Sequence, residues 1–140
     1  MVAPVALVNR ADRGQSAAEF ALVLPALTFL ILACLQAGML GYASVVARYA
    51  VFRGLRAAAV AAPQDRARSA RIAALAAVAS APGLTPAGLE VREAPVRFPA
   101  KAAQVPRLEV AVRVGAPRLL PVRSAWTAES RAVMPMEPAW

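Results

Sequence analysis

The most prominent pattern in this chain is a long run without charge. Residues 20–47 contain no Asp, Glu, Lys or Arg, and only scattered polar side chains such as Thr28, Gln36 and Ser44 interrupt these 28 residues. A helix needs about 20 residues to cross the hydrocarbon core of a bilayer. We therefore interpret residues 20–47 as a membrane span rather than a core helix, since a small chain has little protein to wrap such a helix. Pro25 predicts a kink, which membrane helices tolerate.

The pattern becomes amphipathic immediately after the uncharged run. Arg48, Arg53 and Arg56 alternate with apolar residues, which predicts that the same helix continues outside the membrane with one face buried. Pro63 would end this helix, because proline cannot continue the backbone hydrogen bonding. The complete helix is therefore predicted over residues 15–62.

A second, shorter helix is predicted over residues 64–80. Asp65 is a plausible N-cap residue. Apolar side chains at spacings of three, four and seven residues define the face that we expect to be buried. These side chains are Ile72, Leu75, Ala76 and Ala79.

The remaining segments predict β-strands. The strongest signal is a strict alternation of apolar with other side chains at Leu108, Val110, Val112 and Val114. Residues 89–98, which end near Phe98, alternate with a one-residue slip near Glu93. The slip predicts either a bulge or an edge strand, and Pro95 favours the edge strand. Residues 124–134 predict a third strand that begins at Ser124. One face of that strand would carry Trp126, Ala128, Ala132 and Met134.

Residues 115–121 are predicted to form a loop in which Leu119 and Leu120 touch the membrane surface or the helix. Together these elements predict an α+β membrane-anchored fold. In it, a long N-terminal transmembrane helix continues outside the membrane and packs against a second helix and a small antiparallel β-sheet.

Composition limits the chemistry that we expect. The net charge is +8 and there is no histidine. Such basicity suits an anionic lipid, an acidic polysaccharide or a nucleic acid, but it also fits a general bias toward Ala and Arg. The arginines form no long run and few aromatic residues accompany them, which argues against nucleic acid.

No arrangement of residues in the sequence predicts catalysis. The single cysteine, Cys34, lies in the predicted span and can form no internal disulfide. Without histidine or a cysteine cluster a zinc site is not expected, and no glycine-rich phosphate loop is present. We therefore expect no enzyme activity, no metal and no cofactor.

Glu19 stands at the mouth of the uncharged run and has two interpretations. It is either an interfacial charge that marks the end of the span or a residue that sets register between helices. The second interpretation requires cleavage after Gly14. The new amino terminus at Gln15 would then lie four residues from Glu19, and the two charges could pair with those of neighbouring helices inside the apolar layer.

Residues 14–25, with Gly14, Glu19, Phe20 and Pro25, resemble the start of a TadE-like protein. This family is a pilin-like component of Tad (tight adherence) systems, a branch of type IV pilus systems. The resemblance continues over residues 48–56 and returns weakly at residues 128–138. It therefore covers the N-terminal half of the chain and a short, weakly similar segment near the C-terminus.

The resemblance implies a minor pilin or pseudopilin that acts in the assembly of a Tad (Flp-type) adhesive pilus. It implies cleavage after Gly14 by a membrane aspartyl prepilin peptidase. Its other partners would be pilin and pseudopilin subunits, the Tad inner-membrane assembly machinery and membrane lipid. The implied location is the bacterial inner membrane, with possible entry into the pilus.

This interpretation divides the chain into a leader over residues 1–14, the helix over residues 15–62 and a small extracytoplasmic α+β domain over residues 63–140. The apolar run follows Gly14, so cleavage there would keep the span in the product, unlike cleavage of an ordinary secretory signal. The arginines after the span would by the positive-inside rule place the C-terminal part in the cytoplasm. The resemblance implies the opposite orientation, which we adopt. The alternative is an uncleaved single-pass signal anchor whose basic domain binds an anionic polymer or lipid.

Overall fold

The computed structural model describes residues 8–96, 105–120 and 126–136. Side-chain surroundings are described for residues 17–93, 107–120 and 126–136. The elements in chain order are α1 (Val8–Val60), a 3₁₀ turn (Pro63–Asp65), α2 (Arg66–Ala79), β1 (Thr85–Val96), β2 (Val105–Gly115) and β3 (Thr127–Pro135). The predicted fold class, a long apolar helix with a second helix and a three-stranded antiparallel sheet, is confirmed.

Helix α1 has 53 residues, which corresponds to about 80 Å. It begins at Val8, upstream of the expected start at Gln15, and continues through Pro25. It ends at Val60, two residues before the expected end, because Ala62 adopts extended angles (φ −58°, ψ 148°) ahead of Pro63. Proline disfavours the helical conformation in the residue that precedes it.

Helix α2 lies where it was expected, but its buried face was predicted wrongly. The buried residues are Ala70, Ala74, Ala77 and Val78. Ile72 and Leu75 are 59% and 41% exposed. Small side chains are selected at this contact because α2 approaches α1 closely. A Cβ added at Gly54 of α1 would lie only 3.1 Å from the carbonyl oxygen of Ala70. Asp65 occupies the N-cap position of α2 without a capping side-chain hydrogen bond.

The three strands form an antiparallel sheet in the order β1-β2-β3. The alternation predicted for the central strand is confirmed, because its four inward side chains are at most 2% exposed: Leu108, Val110, Val112 and Val114. They belong to one hydrophobic core with Val51 and Leu55 of α1. The sheet therefore covers one face of α1, and α2 packs beside it.

Strand β1 decides between the two alternatives predicted for the slip near Glu93. Pairing between β1 and β2 keeps its register through Glu93, so there is no bulge at that point, and β1 is the edge strand that was favoured. A register shift does occur between Pro86 and Gly88, near the start of the strand. Pro95 lies in edge strand β1, as predicted. Phe98, together with residues 1–7 of the expected leader, lies outside the described residues.

Strand β3 confirms the predicted alternation over the residues that the structure describes. The side chains of Ala128, Ala132 and Met134 are half-buried, whereas the residues between them are mostly exposed. Trp126 lies just before the strand and is also half-buried. The expected start of this strand at Ser124 lies outside the described residues.

Candidate membrane and assembly surfaces of the long helix

The burial pattern divides α1 into two parts. Residues 17–35 have no buried side chain, and large apolar side chains such as Phe20 and Leu22 are 64% and 79% exposed. From Gln36 onward one face is covered by the sheet and α2. We call residues 17–35 the bare segment and residues 36–60 the domain-bearing segment.

The bare segment has the length of a bilayer core. Its 19 residues correspond to about 28 Å of helix, and the hydrocarbon core of a bilayer is about 30 Å thick. A candidate membrane-spanning helix lies at Ala17–Val60, and none of its apolar window is buried. Among the described residues, the side chains of α1 that the domain buries therefore begin only beyond the length that a bilayer would cover. This geometry is consistent with membrane anchoring.

Gln36 marks the boundary between the two segments. Its side chain is 1% exposed and lies against the loop that follows β2. Its Nε2 atom donates a hydrogen bond to the carbonyl oxygen of Pro117 at 3.2 Å, and the backbone N–H of Leu119 donates to its Oε1 atom at 2.8 Å. Both ends of the amide are thus satisfied, as burial of a polar group requires.

The two hydrogen bonds fasten the loop of residues 116–120 to α1. Leu120 is buried, and Leu119 is 41% exposed beside the boundary. Of the two contacts expected for this loop, the contact with the helix is present. Sequence reasoning treated Gln36 as one of several scattered polar residues. The available signal was that an amide inside an uncharged run is costly in lipid and therefore needs partners.

The predicted processing and register residues all lie on α1, away from the domain. Gly14 and Gln15 belong to the helical backbone, and their side-chain surroundings are outside the description. Glu19 and Phe20 are exposed at the start of the bare segment. Pro25 lies within the helix a little further along. The three of these side chains that the structure describes, Glu19, Phe20 and Pro25, are all exposed.

Charge is sorted between two sides of the domain. The helical side carries six arginines (Arg48, Arg53, Arg56, Arg66, Arg68 and Arg71) and one acid, Asp65, which leaves a net charge of +5. Among the described side chains, no ion pair involves these six arginines. The guanidinium of Arg53 instead lies 5.9 Å from the ring centre of Tyr49.

The solvent side of the sheet has balanced charges. Arg113 Nη2 lies 2.9 Å from Glu129 Oε2, and Arg131 Nε lies 3.2 Å from Glu109 Oε1. The hydrogen bond from Arg113 and the positive charge of its guanidinium lower the pKa of the Glu129 carboxyl. The same hydrogen bond and the negative charge of Glu129 raise the pKa of Arg113. These pairs leave the helical side as the strongly positive surface of the described domain.

A groove runs between α1 and α2 on the positive side. Its volume is about 440 Å³. It is lined by Arg53, Arg56, Ala57 and Val60 of α1 and by Ala73 of α2. The groove is therefore lined by three apolar side chains and two cationic ones. Among the described residues, no group of three or more His, Cys, Asp or Glu side chains is placed to hold a metal ion.

Residues 14–56 match the family described as TadE-like protein. The match begins at the predicted processing residue and ends beyond Gly54, where α1 contacts α2, so it covers most of α1. No curated protein and no solved structure matches this chain. The recognition made from residues 14–25 and 48–56 is confirmed.

Proposed function

From the TadE-like identity of residues 14–56, which supports a Tad pilus-associated protein in general, we propose a specific role. The protein is a TadE-like minor pilin or pseudopilin that acts in the assembly of a Tad (Flp-type) adhesive pilus after cleavage following Gly14. One observation carries the proposal. The family match covers the single helix that combines a bare, bilayer-length segment with a segment that bears the domain.

The proposed role uses the two segments of α1 differently. The bare segment anchors the subunit in the inner membrane and slides against other apolar helices during assembly. After cleavage, the ammonium of Gln15 and the carboxylate of Glu19 pair with those of neighbouring subunits. An unpaired charge in the apolar layer is heavily penalised, so this pairing selects one axial register.

In this role the protein is a structural subunit and a substrate, not an enzyme. The prepilin peptidase acts on the bond after Gly14, and the Tad inner-membrane machinery and other pilin-like subunits are the remaining partners. The domain lies on the extracytoplasmic side. The loop of residues 116–120 then rests at the membrane surface, because Gln36 holds it where the bare segment ends.

The intact mass of the protein purified from membranes of its own host tests this proposal. We expect a chain that begins at Gln15, with or without an N-methyl group. A control sample from a host that lacks the prepilin peptidase should begin at Met1. A chain that begins at Met1 while the peptidase is active would refute the pilin role.

One observation favours a second candidate function. The net charge of +5 on the helical side suits an uncleaved, signal-anchored protein whose domain binds an anionic polymer or lipid. This candidate requires a full-length chain and binding to anionic vesicles that falls steeply with added salt. Processing at Gly14, or binding that salt does not change, would remove it.

A further inference from the structure

A stripe of exposed apolar side chains follows α1 on the side away from the sheet. Its members recur at spacings of three and four residues, so they lie on one helix face. Tyr42, Val45, Tyr49 and Phe52 are 38%, 63%, 50% and 59% exposed. Val60, one turn beyond Arg56 on the same face, is 86% exposed. A soluble surface rarely leaves so continuous an apolar strip uncovered.

This stripe is continuous with the membrane-spanning part of α1. Leu35, Ile31 and Leu24 lie further back along the same helix face, at steps of seven, four and seven residues from Tyr42, and all three are exposed in the bare segment. Toward its far end the stripe borders the groove between α1 and α2. A partner that covers both the stripe and the groove must therefore be long and straight, as a helix is. It would leave the membrane beside α1.

The charges on this surface define the occupant further. Arg53 and Arg56 line the groove, and no acidic residue occurs between Glu19 and Asp65. A parallel second copy would place arginines against arginines, which is unfavourable. A polysaccharide or a nucleic acid would satisfy the arginines but leave the apolar stripe uncovered. A helix with an apolar face and flanking carboxylates satisfies both features.

We propose that the stripe and the groove bind an amphipathic, acidic helix of a different membrane-anchored subunit, aligned in parallel with α1. Its apolar side chains cover Tyr49, Phe52 and Val60, and its carboxylates pair with Arg53 and Arg56. The pilin-like nature of that subunit rests on the function proposed above. The charge pattern makes the contact heterotypic, so this protein pairs with another subunit rather than with itself.

Photo-crosslinking in host membranes tests this contact. A photoreactive amino acid replaces Phe52 in the full-length gene, and the adduct is identified by mass spectrometry. We expect a partner that carries an acidic amphipathic helix next to a membrane span. Arg53→Glu combined with Arg56→Glu should lower the adduct yield about tenfold or more, because it places like charges in contact. Arg68→Glu with Arg71→Glu is the control of equal charge change on α2, outside the groove, and should keep the yield.

A charge exchange completes the test. Replacing the facing carboxylates of the identified partner by arginine should restore the adduct in the Arg53→Glu, Arg56→Glu background. An adduct with a second copy, with lipid or with polysaccharide would overturn the proposal, and so would a yield that charge reversal leaves unchanged. The mass of this chain within the adduct reports processing at Gly14 separately. A processed chain without the heterotypic adduct would refute this inference alone.

Discussion

At the scale of single residues, Gln36 shows how one polar side chain connects a long apolar helix to a loop of the domain. It is buried, and both ends of its amide are hydrogen-bonded to a loop more than 80 residues away in the chain. Thr28, another polar residue of the uncharged run, donates only to the Leu24 carbonyl of its own helix, at 2.8 Å. Both residues are polar side chains within the same uncharged run, but only Gln36 connects the helix to a distant loop.

We expect Gln36→Leu to loosen the loop of residues 116–120. The substitution removes both hydrogen bonds and leaves the Leu119 N–H and the Pro117 carbonyl without their side-chain partner, a cost of about 1–3 kcal/mol. Hydrogen exchange of the Leu119 amide in detergent should become faster by about tenfold or more. Thr28→Val, which removes a polar group from the same helix, is the control. Unchanged protection of Leu119 in Gln36→Leu would show that the loop is held by other contacts.

The ion pair between Arg113 and Glu129 predicts a small pH dependence of stability. The folded-state pKa of Glu129 is lowered by its hydrogen bond from Arg113. Its contribution is therefore present above the unfolded pKa of about 4.3 and is lost as pH falls through the lower folded value. Because the pair is exposed, the contribution is small and salt weakens it.

Thermal unfolding of Glu129→Gln against the parent protein measures this contribution. At pH 6–7 and low salt the variant should unfold at a slightly lower temperature. The difference should vanish once the pH falls below the lowered folded-state pKa of Glu129. Glu93→Gln on the edge strand is the control and should show a smaller difference at every pH. A difference that persists in acid would assign the effect to packing rather than to charge.

At the scale of elements, the contact between α1 and α2 depends on small residues. Gly54 lies against the backbone of α2 at Ala70 and beside Val110 of β2. By contrast, a Cβ at Gly41 on the same helix would meet nothing within 4 Å. The two glycines lie in the same helix but have different surroundings. Comparing the same substitution at both positions therefore distinguishes an effect on packing from an effect on helix propensity.

We expect Gly54→Val to destabilise the domain by about 1–3 kcal/mol, because the added methyl groups have no space against the α2 backbone. Gly41→Val should change the free energy of unfolding by no more than about 0.5 kcal/mol. Denaturant unfolding in detergent, followed by tryptophan fluorescence, measures both. Equal stabilities of the two variants would mean that α2 can shift away from α1 without loss of packing.

At the scale of the whole molecule, one helix, α1, contains both the candidate membrane-spanning segment and the segment that packs against the sheet and α2. The bare segment has no side chain buried by the domain, whereas the remainder carries the sheet and α2. The side chains of the bare segment therefore lie outside the core of the domain. A substitution in the bare segment is expected to leave the packing of the domain unchanged.

We expect Glu19→Ala to block assembly in the host while membrane insertion remains intact. The variant loses the carboxylate proposed to pair with the amino terminus of a neighbour but keeps the apolar segment. Immunoblots of sheared pili and of carbonate-washed membranes measure the two outcomes. Thr28→Ala, also exposed in the bare segment, is the control and should assemble normally. Pili at normal levels in Glu19→Ala would contradict the register mechanism.

Much of this architecture follows from local pattern. The uncharged run is long enough to span a bilayer, the amphipathic continuation follows it without a break, and Pro63 lies just past the end of α1. The alternation in β2 predicted its four core residues because strand side chains point to opposite faces at a period of two. The residues that resemble the TadE-like family are likewise contiguous in the chain. All these features depend on neighbours in sequence.

Only the tertiary structure decided which surfaces are covered. Apolar periodicity favoured Ile72 and Leu75 as the buried face of α2, but the close approach at Gly54 admits only small side chains there. The division of α1 at Gln36 and the sorting of charge between the two sides of the domain arise in the same way. Each depends on segments distant in the chain that meet at atomic distance, and local periodicity carries no information about which segments meet.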